Sequence, residues 1–218
     1  DLAGIAGRAR ARRGDPRRRT RSAAGRRTRQ RAHAAGARAD RREPGGATLE
    51  GDWPFTERHP HDGDKVAAAL QPLRPDWAFD TWPVSQDRWP DDALVYDGVV
   101  ITGSPASVND DSAWIRRLEQ LVLHLHAHKK PLLGICFGHQ VIAKALGGQV
   151  STSMAGLRVG TLTSQMHHHA AWMQPPQPTM TLYAAQEDHV VALPPGAQTF
   201  GGDAVCPVTF YAIGRHVF

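Results

Sequence analysis

Residues 132–148 read L-L-G-I-C-F-G-H-Q-V-I-A-K-A-L-G-G, and this stretch decides the fold. An apolar run from Pro131 to Ile135 ends on Cys136, with Gly134 two residues before it and Gly138 two residues after. Val141, Ile142, Ala145 and Leu146 then recur at helical spacing. The pattern predicts a strand, a sharp turn and a helix, with the cysteine at the turn as in a nucleophile elbow. The two glycines let the backbone bend without a clashing Cβ. The helix N-terminus aims its free N–H groups at the sulfur, which favours thiolate over thiol. The competing reading is a buried structural cysteine at a strand end, since free cysteine is often a small core residue.

Working outward, residues 99–102 form a short β-branched run between Gly98 and Gly103, a buried strand. Residues 113–129 give an amphipathic helix with Trp114, Leu118, Leu121, Val122 and Leu125 inward. Residues 64–73 predict a short helix and residues 77–84 a strand. Strands and helices alternating over short connections imply an α/β fold with a mostly parallel central sheet flanked by helices. Cys136 then lies at the carboxyl end of a central strand, where such sheets bind ligands. After Gly148 the expectation is short strands at 149–151, 159–162, 181–184, 198–201 and 208–213.

The composition splits the chain. Residues 1–46 hold fifteen arginines and four acids, a net +11, whereas residues 47–218 hold eleven basic and seventeen acidic residues, a net −6. The tail alternates Arg with Ala and Gly and lacks apolar periodicity, so it is expected to be disordered. Three readings of it stand: nucleic-acid contact through phosphates, a targeting segment, or translation of DNA outside the gene. The chain begins at Asp1 and its first methionine is Met154, which supports the third. Nucleic-acid binding by the tail is therefore not expected. The domain proper is expected over 47–218, with no membrane association, because no apolar run approaches the ~20 residues of a membrane span. Two cysteines, Cys136 and Cys206, make no disulfide framework and fit a reducing, cytoplasmic setting.

The motif Gly134-Ile135-Cys136-Phe137-Gly138-His139-Gln140 resembles the nucleophile segment of class I glutamine amidotransferases, G-I-C-x-G-x-Q. Val100-Ile101-Thr102-Gly103-Ser104-Pro105 is similar to their oxyanion-loop segment. The likeness continues through Gly156-Leu157-Arg158-Val159-Gly160 and Glu187-Asp188-His189-Val190. It lies nearest the stand-alone proteins similar to the glutaminase domain of GMP synthase, which include γ-glutamyl peptidases. The resemblance implies a flavodoxin-like fold and Cys136 as nucleophile. It also implies an oxyanion hole from the N–H groups of Gly103 and Phe137, with Gln140 touching the bound glutamine. The other reading of Gln140 is a polar helix residue facing solvent. The reaction implied is hydrolysis of a γ-glutamyl amide through a thioester on Cys136, with a small-molecule substrate and no cofactor. Alternatives are γ-glutamyl peptidase action on glutathione-like conjugates and a catalytically inactive binding protein.

The resemblance also implies a first strand near residues 47–53, where the pattern is poor enough to suggest damage or replacement. The family's base is a histidine in a late H-P-E motif that this sequence does not contain. Residues 211–218 look like the strand before that motif, and His216 has no following glutamate. Turnover by these 218 residues is therefore expected to be negligible. No acid completes an H-E-x-x-H pattern with His124 and His128, so no metal site is expected. No phosphate loop is present, so acceptor chemistry would belong to a synthase or acceptor subunit.

Overall fold

The structure, a computed structural model, describes residues 45–51, 60–154 and 156–218. Four parallel strands form its centre in the order β2-β1-β3-β4: β1 is Gly45–Glu50, β2 Ala78–Pro83, β3 Gly98–Ile101 and β4 Leu132–Gly134. In register, Leu49 lies beside Ile101 and Ile101 beside Gly134. The last residues extend this sheet. Leu132 donates to the carbonyl of His216, Phe218 donates to that of Leu132, and Gly134 donates to that of Phe218. The class of fold is the one expected, a parallel sheet with flanking helices.

Strand β1 corrects the expectation of a damaged first strand. All six of its residues are buried, and it is an inner strand hydrogen-bonded to β2 and β3. Small residues and Thr48 fit a strand covered on both faces, where alternation is not required. Residues 52 and 53 of the expected 47–53 strand, and the Arg-rich segment up to residue 44, lie outside the described residues.

Helix α1 (Asp62–Leu70) packs on β1 and β2. Helix α2 (Ala113–Ala127) buries Ile115, Leu118, Val122 and Leu125, an i, i+3, i+7, i+10 stripe. Trp114 and Leu121, expected inward, flank that stripe half-buried, and Ile115 takes the central place. Helix α3 (Phe137–Ala145) packs on α2, β3 and β4, with Phe137, Val141 and Ile142 in the core.

The second half builds two antiparallel units. Strands β5 (Gln149–Thr152) and β8 (Asp188–Ala192) pair with each other. Strands β6 (Arg158–Met166), β7 (Thr179–Gln186), β9 (Ala197–Gly202) and β10 (Phe210–Ile213) form a sheet in the order β10-β9-β6-β7. Both β6 and β7 run longer than their sequence pattern predicts, because each supplies the other's hydrogen bonds over eight paired positions. Residues 188–192, read as a motif rather than a strand, are β8.

Candidate active site

The turn after β4 is built by backbone bonds to the end of β3. Ile135 donates to the Ile101 carbonyl at 2.9 Å, and Gly138 donates to the carbonyls of Ile135 at 2.9 Å and Thr102 at 3.1 Å. Cys136 occupies the N-cap of α3 with φ 54° and ψ −110°. A side chain in that region is strained, and such strain persists only where the surroundings over-determine it. The bend therefore falls on the cysteine rather than on its flanking glycines. The glycines serve close approach. A Cβ on Gly138 would lie 2.0 Å from the Ile101 oxygen, and one on Gly134 would lie 2.6 Å from the Gly138 backbone.

Cys136 is half-buried. Burial pushes its thiol above the ordinary cysteine range, and the negative charge of Asp62 adds to that effect. The neighbouring Phe137 N–H opposes them and does not prevail. The thiolate expected from the helix N-terminus alone is thus outweighed by desolvation. Alkylation of Cys136 by iodoacetamide will accordingly keep rising with pH beyond the range where an ordinary cysteine levels off. A rate that levels off near neutral pH refutes this assignment of charge.

Gly103 follows Thr102, whose N–H bonds to the Leu49 carbonyl at 2.9 Å and whose carbonyl receives the elbow's Gly138. Gly103 and Phe137 are therefore brought to one sheet edge, on either side of that junction. Gln140 is 5% exposed, which excludes a solvent-facing role. Its Nε2 donates to the Asp188 carbonyl at 2.7 Å. The Asp188 carboxylate is itself buried. It accepts from the Thr152 hydroxyl at 2.8 Å and from the Ser107 hydroxyl. One acid thus ties the loop after β3, strand β5 and, through its own backbone, helix α3. Ser107 and Thr152 carry no motif signal; only the fold reveals their role.

His216 and His139 are occupied elsewhere. His216 Nε2 lies 3.0 Å from His126 Nδ1, with the rings stacked, so it faces α2. His139 packs against Tyr211 with ring centroids 4.7 Å apart and the rings tilted by 52°, and its Nε2–H donates to the Val208 carbonyl at 3.2 Å. Burial drives His139 from 6.5 down to about 4. The folded state keeps it neutral where the unfolded chain would take up a proton. Stability is complete above pH 6.5 and is lost as the pH falls toward 4, with a cost of about 2 kcal/mol at pH 5. Urea titrations at pH 7 and pH 5 should show this loss reduced in His139→Gln, and an equal loss in both proteins contradicts it. Cys206 is buried beside the Val208 carbonyl. Among the described residues, no group of three or more His, Cys, Asp or Glu side chains is placed to hold a metal ion. Nor is any described helix long and apolar enough to cross a membrane.

The glutamine amidotransferase class-I family profile matches residues 69–201. γ-Glutamyl peptidase 3 of Arabidopsis thaliana is 31% identical over 149 residues, covering 64% of this chain and 59% of the relative. The glutamine-hydrolysing GMP synthase of Vibrio vulnificus is 32% identical over 111 residues, covering 51% of this chain and 20% of the synthase. The chain thus spans about three-fifths of the peptidase's length and a smaller share of the synthase's. In fold it is similar to a glutamine amidotransferase from Methylobacillus flagellatus, with a TM-score of 0.65 at 22% identity, covering 78% of this chain and 66% of that one. A Thermotoga maritima amidotransferase gives the same TM-score at 19% identity, covering 78% and 72%. With its strained cysteine elbow seated against β3, and with this match over residues 69–201, the chain belongs to the class I glutamine amidotransferase family.

Proposed function

We propose that Cys136 attacks the γ-carbonyl of a γ-glutamyl amide and holds the glutamyl group as a thioester. Sulfur bonds to the carbonyl carbon, the amine leaves with a proton, and water later releases glutamate. The observation that carries this reading is the elbow itself, a non-glycine residue held at φ 54° at the N-cap of α3. Under this reading, the Phe137 N–H turns to the developing oxyanion together with that of Gly103. Gln140, anchored through Asp188, would present its remaining amide oxygen to the substrate.

The longer of the two curated matches is to a γ-glutamyl peptidase, which favours γ-glutamyl peptides beside free glutamine as substrates. If glutamine is the donor, the ammonia acceptor would lie on a synthase partner, and the free thiols suit a cytoplasmic setting. The H-P-E base of the family is not within residues 1–218. Without a base on the thiol, turnover by these residues is expected to fall by roughly a thousandfold or more. The test measures glutamate release from glutamine and from γ-glutamyl dipeptides, with and without added imidazole as an external base. Release that imidazole accelerates and that requires Cys136 supports the reading. A Cys136 that yields no adduct under any condition favours a binding protein.

A further inference from the structure

Strand β7 is an unguarded edge. It closes one side of the sheet β10-β9-β6-β7, and among the described residues its backbone bonds only to β6. Along an outer antiparallel strand every second residue turns its N–H and C=O away from the neighbour, so β7 presents a row of free donors and acceptors. Proteins commonly blunt such a row with a charge, a proline, a bulge or a very short strand. β7 has none of these. Its eight residues, T-M-T-L-Y-A-A-Q, hold no charge and no proline, and their register with β6 runs unbroken over eight pairs. The outer strand β2 of the parallel sheet differs, since it carries Asp80 and ends on Pro83.

Both faces of this edge leave side chains uncovered. On one, the cross-strand pairs Val159–Ala185, Thr161–Tyr183 and Thr163–Thr181 are all exposed, Tyr183 almost completely at 94%. On the other, Leu162 is buried, while Leu182 opposite it on the outer strand stays 44% exposed. An added strand supplies the missing backbone partners and covers Leu182. Charge decides which strand that is. Residues 47–218 hold seventeen acids against eleven basic residues, so two copies of the domain repel over much of their surface. Along β7 there is no charge to repel its own copy and none to steer a charged partner. Two identical strands paired antiparallel about a two-fold axis also match in length and polarity without further design.

We propose that β7 is the seat of a second copy of this chain, the two β7 strands pairing antiparallel so that two β10-β9-β6-β7 sheets become one. The axis stands perpendicular to the sheet and keeps exposed face beside exposed face. At the two registers of greatest overlap, Tyr183 meets either its own counterpart or Thr181 across the axis. The pair closes on itself, because each copy uses its β7 edge once.

Sedimentation equilibrium of the full chain tests this, at concentrations from about 1 µM to about 500 µM, the weak range expected of a small interface. The mass is expected to rise from one chain of 23.8 kDa toward two and to stop there. Tyr183→Lys with Ala185→Lys places like charges across the axis at two exposed sites, and should weaken the pairing by about tenfold or more. Tyr183→Glu with Ala185→Glu should do the same. Mixing the lysine and glutamate variants in equal amounts should restore pairs, which shows that both variants are folded and that the contact lies at β7. A parent chain that stays single at every concentration overturns the proposal. So does growth past two chains, a lysine variant that pairs as well as the parent, or a mixture that stays single.

Discussion

Gly138→Ala will leave little folded protein. The added Cβ would stand 2.0 Å from the Ile101 oxygen and 2.7 Å from its carbonyl carbon, backbone atoms of an inner strand. No rotamer change relieves such a contact, so α3 must lift from β3. That movement breaks the Gly138 hydrogen bonds to Thr102 and Ile135. It also disturbs Phe137, Val141 and Ile142, all of which are in the core. The combined loss is about 3 kcal/mol or more, a large part of an ordinary domain's stability. Gly98→Ala is the internal control, because a Cβ there meets only Pro131 at 3.6 Å, an ordinary contact. Denaturant titration should place Gly98→Ala within about 1 kcal/mol of the parent. A Gly138→Ala protein that unfolds at the same midpoint as Gly98→Ala would show that the close approach of α3 to β3 is wrong.

The same segment shows what a sequence can and cannot reveal. The elbow was legible because an apolar run, two glycines and a helical period fall within seventeen residues, and each signal is local. Helix α2 was legible for the same reason. Strand β1 was not, because a strand covered on both faces shows no alternation, and small residues serve it as well as large ones. The place of the strain was misread: the glycines suggested a bend, but φ is positive only at the cysteine between them. The ionisation of the thiol was misjudged because the helix terminus is visible in the sequence and the burial that outweighs it is not.

The candidate site divides along the same line. Cys136, Phe137 and Gln140 share one motif, and Gly103 ends a strand flanked by glycines. The partners that fix them come from far along the chain. Asp188 holds Ser107 across 81 positions and Gln140 across 48. Such pairings have no period and no spacing, and only the packed sheet edge assembles them.

Cys136→Gly is expected to abolish alkylation and glutamyl transfer while making the protein more stable. These opposite signs follow from one geometry. At φ 54° and ψ −110° the cysteine Cβ is strained, at a cost of roughly 1–3 kcal/mol in sparsely populated backbone regions. Glycine removes that cost and loses about 0.5–1 kcal/mol through the freedom it adds to the unfolded chain. The net gain is therefore on the order of 1 kcal/mol. Cys136→Ala separates the two effects: it keeps the Cβ and the strain, so its unfolding midpoint should stay near the parent's while its reactivity is lost. Labelling must be assigned by peptide, because Cys206 is a second free thiol, though buried. If Cys136→Gly and Cys136→Ala unfold together, the elbow stores no strain, and the cysteine sits at the turn without being forced there. If glycine alone raises the midpoint, the fold holds its nucleophile at an energetic cost that a purely structural cysteine gives no reason to retain.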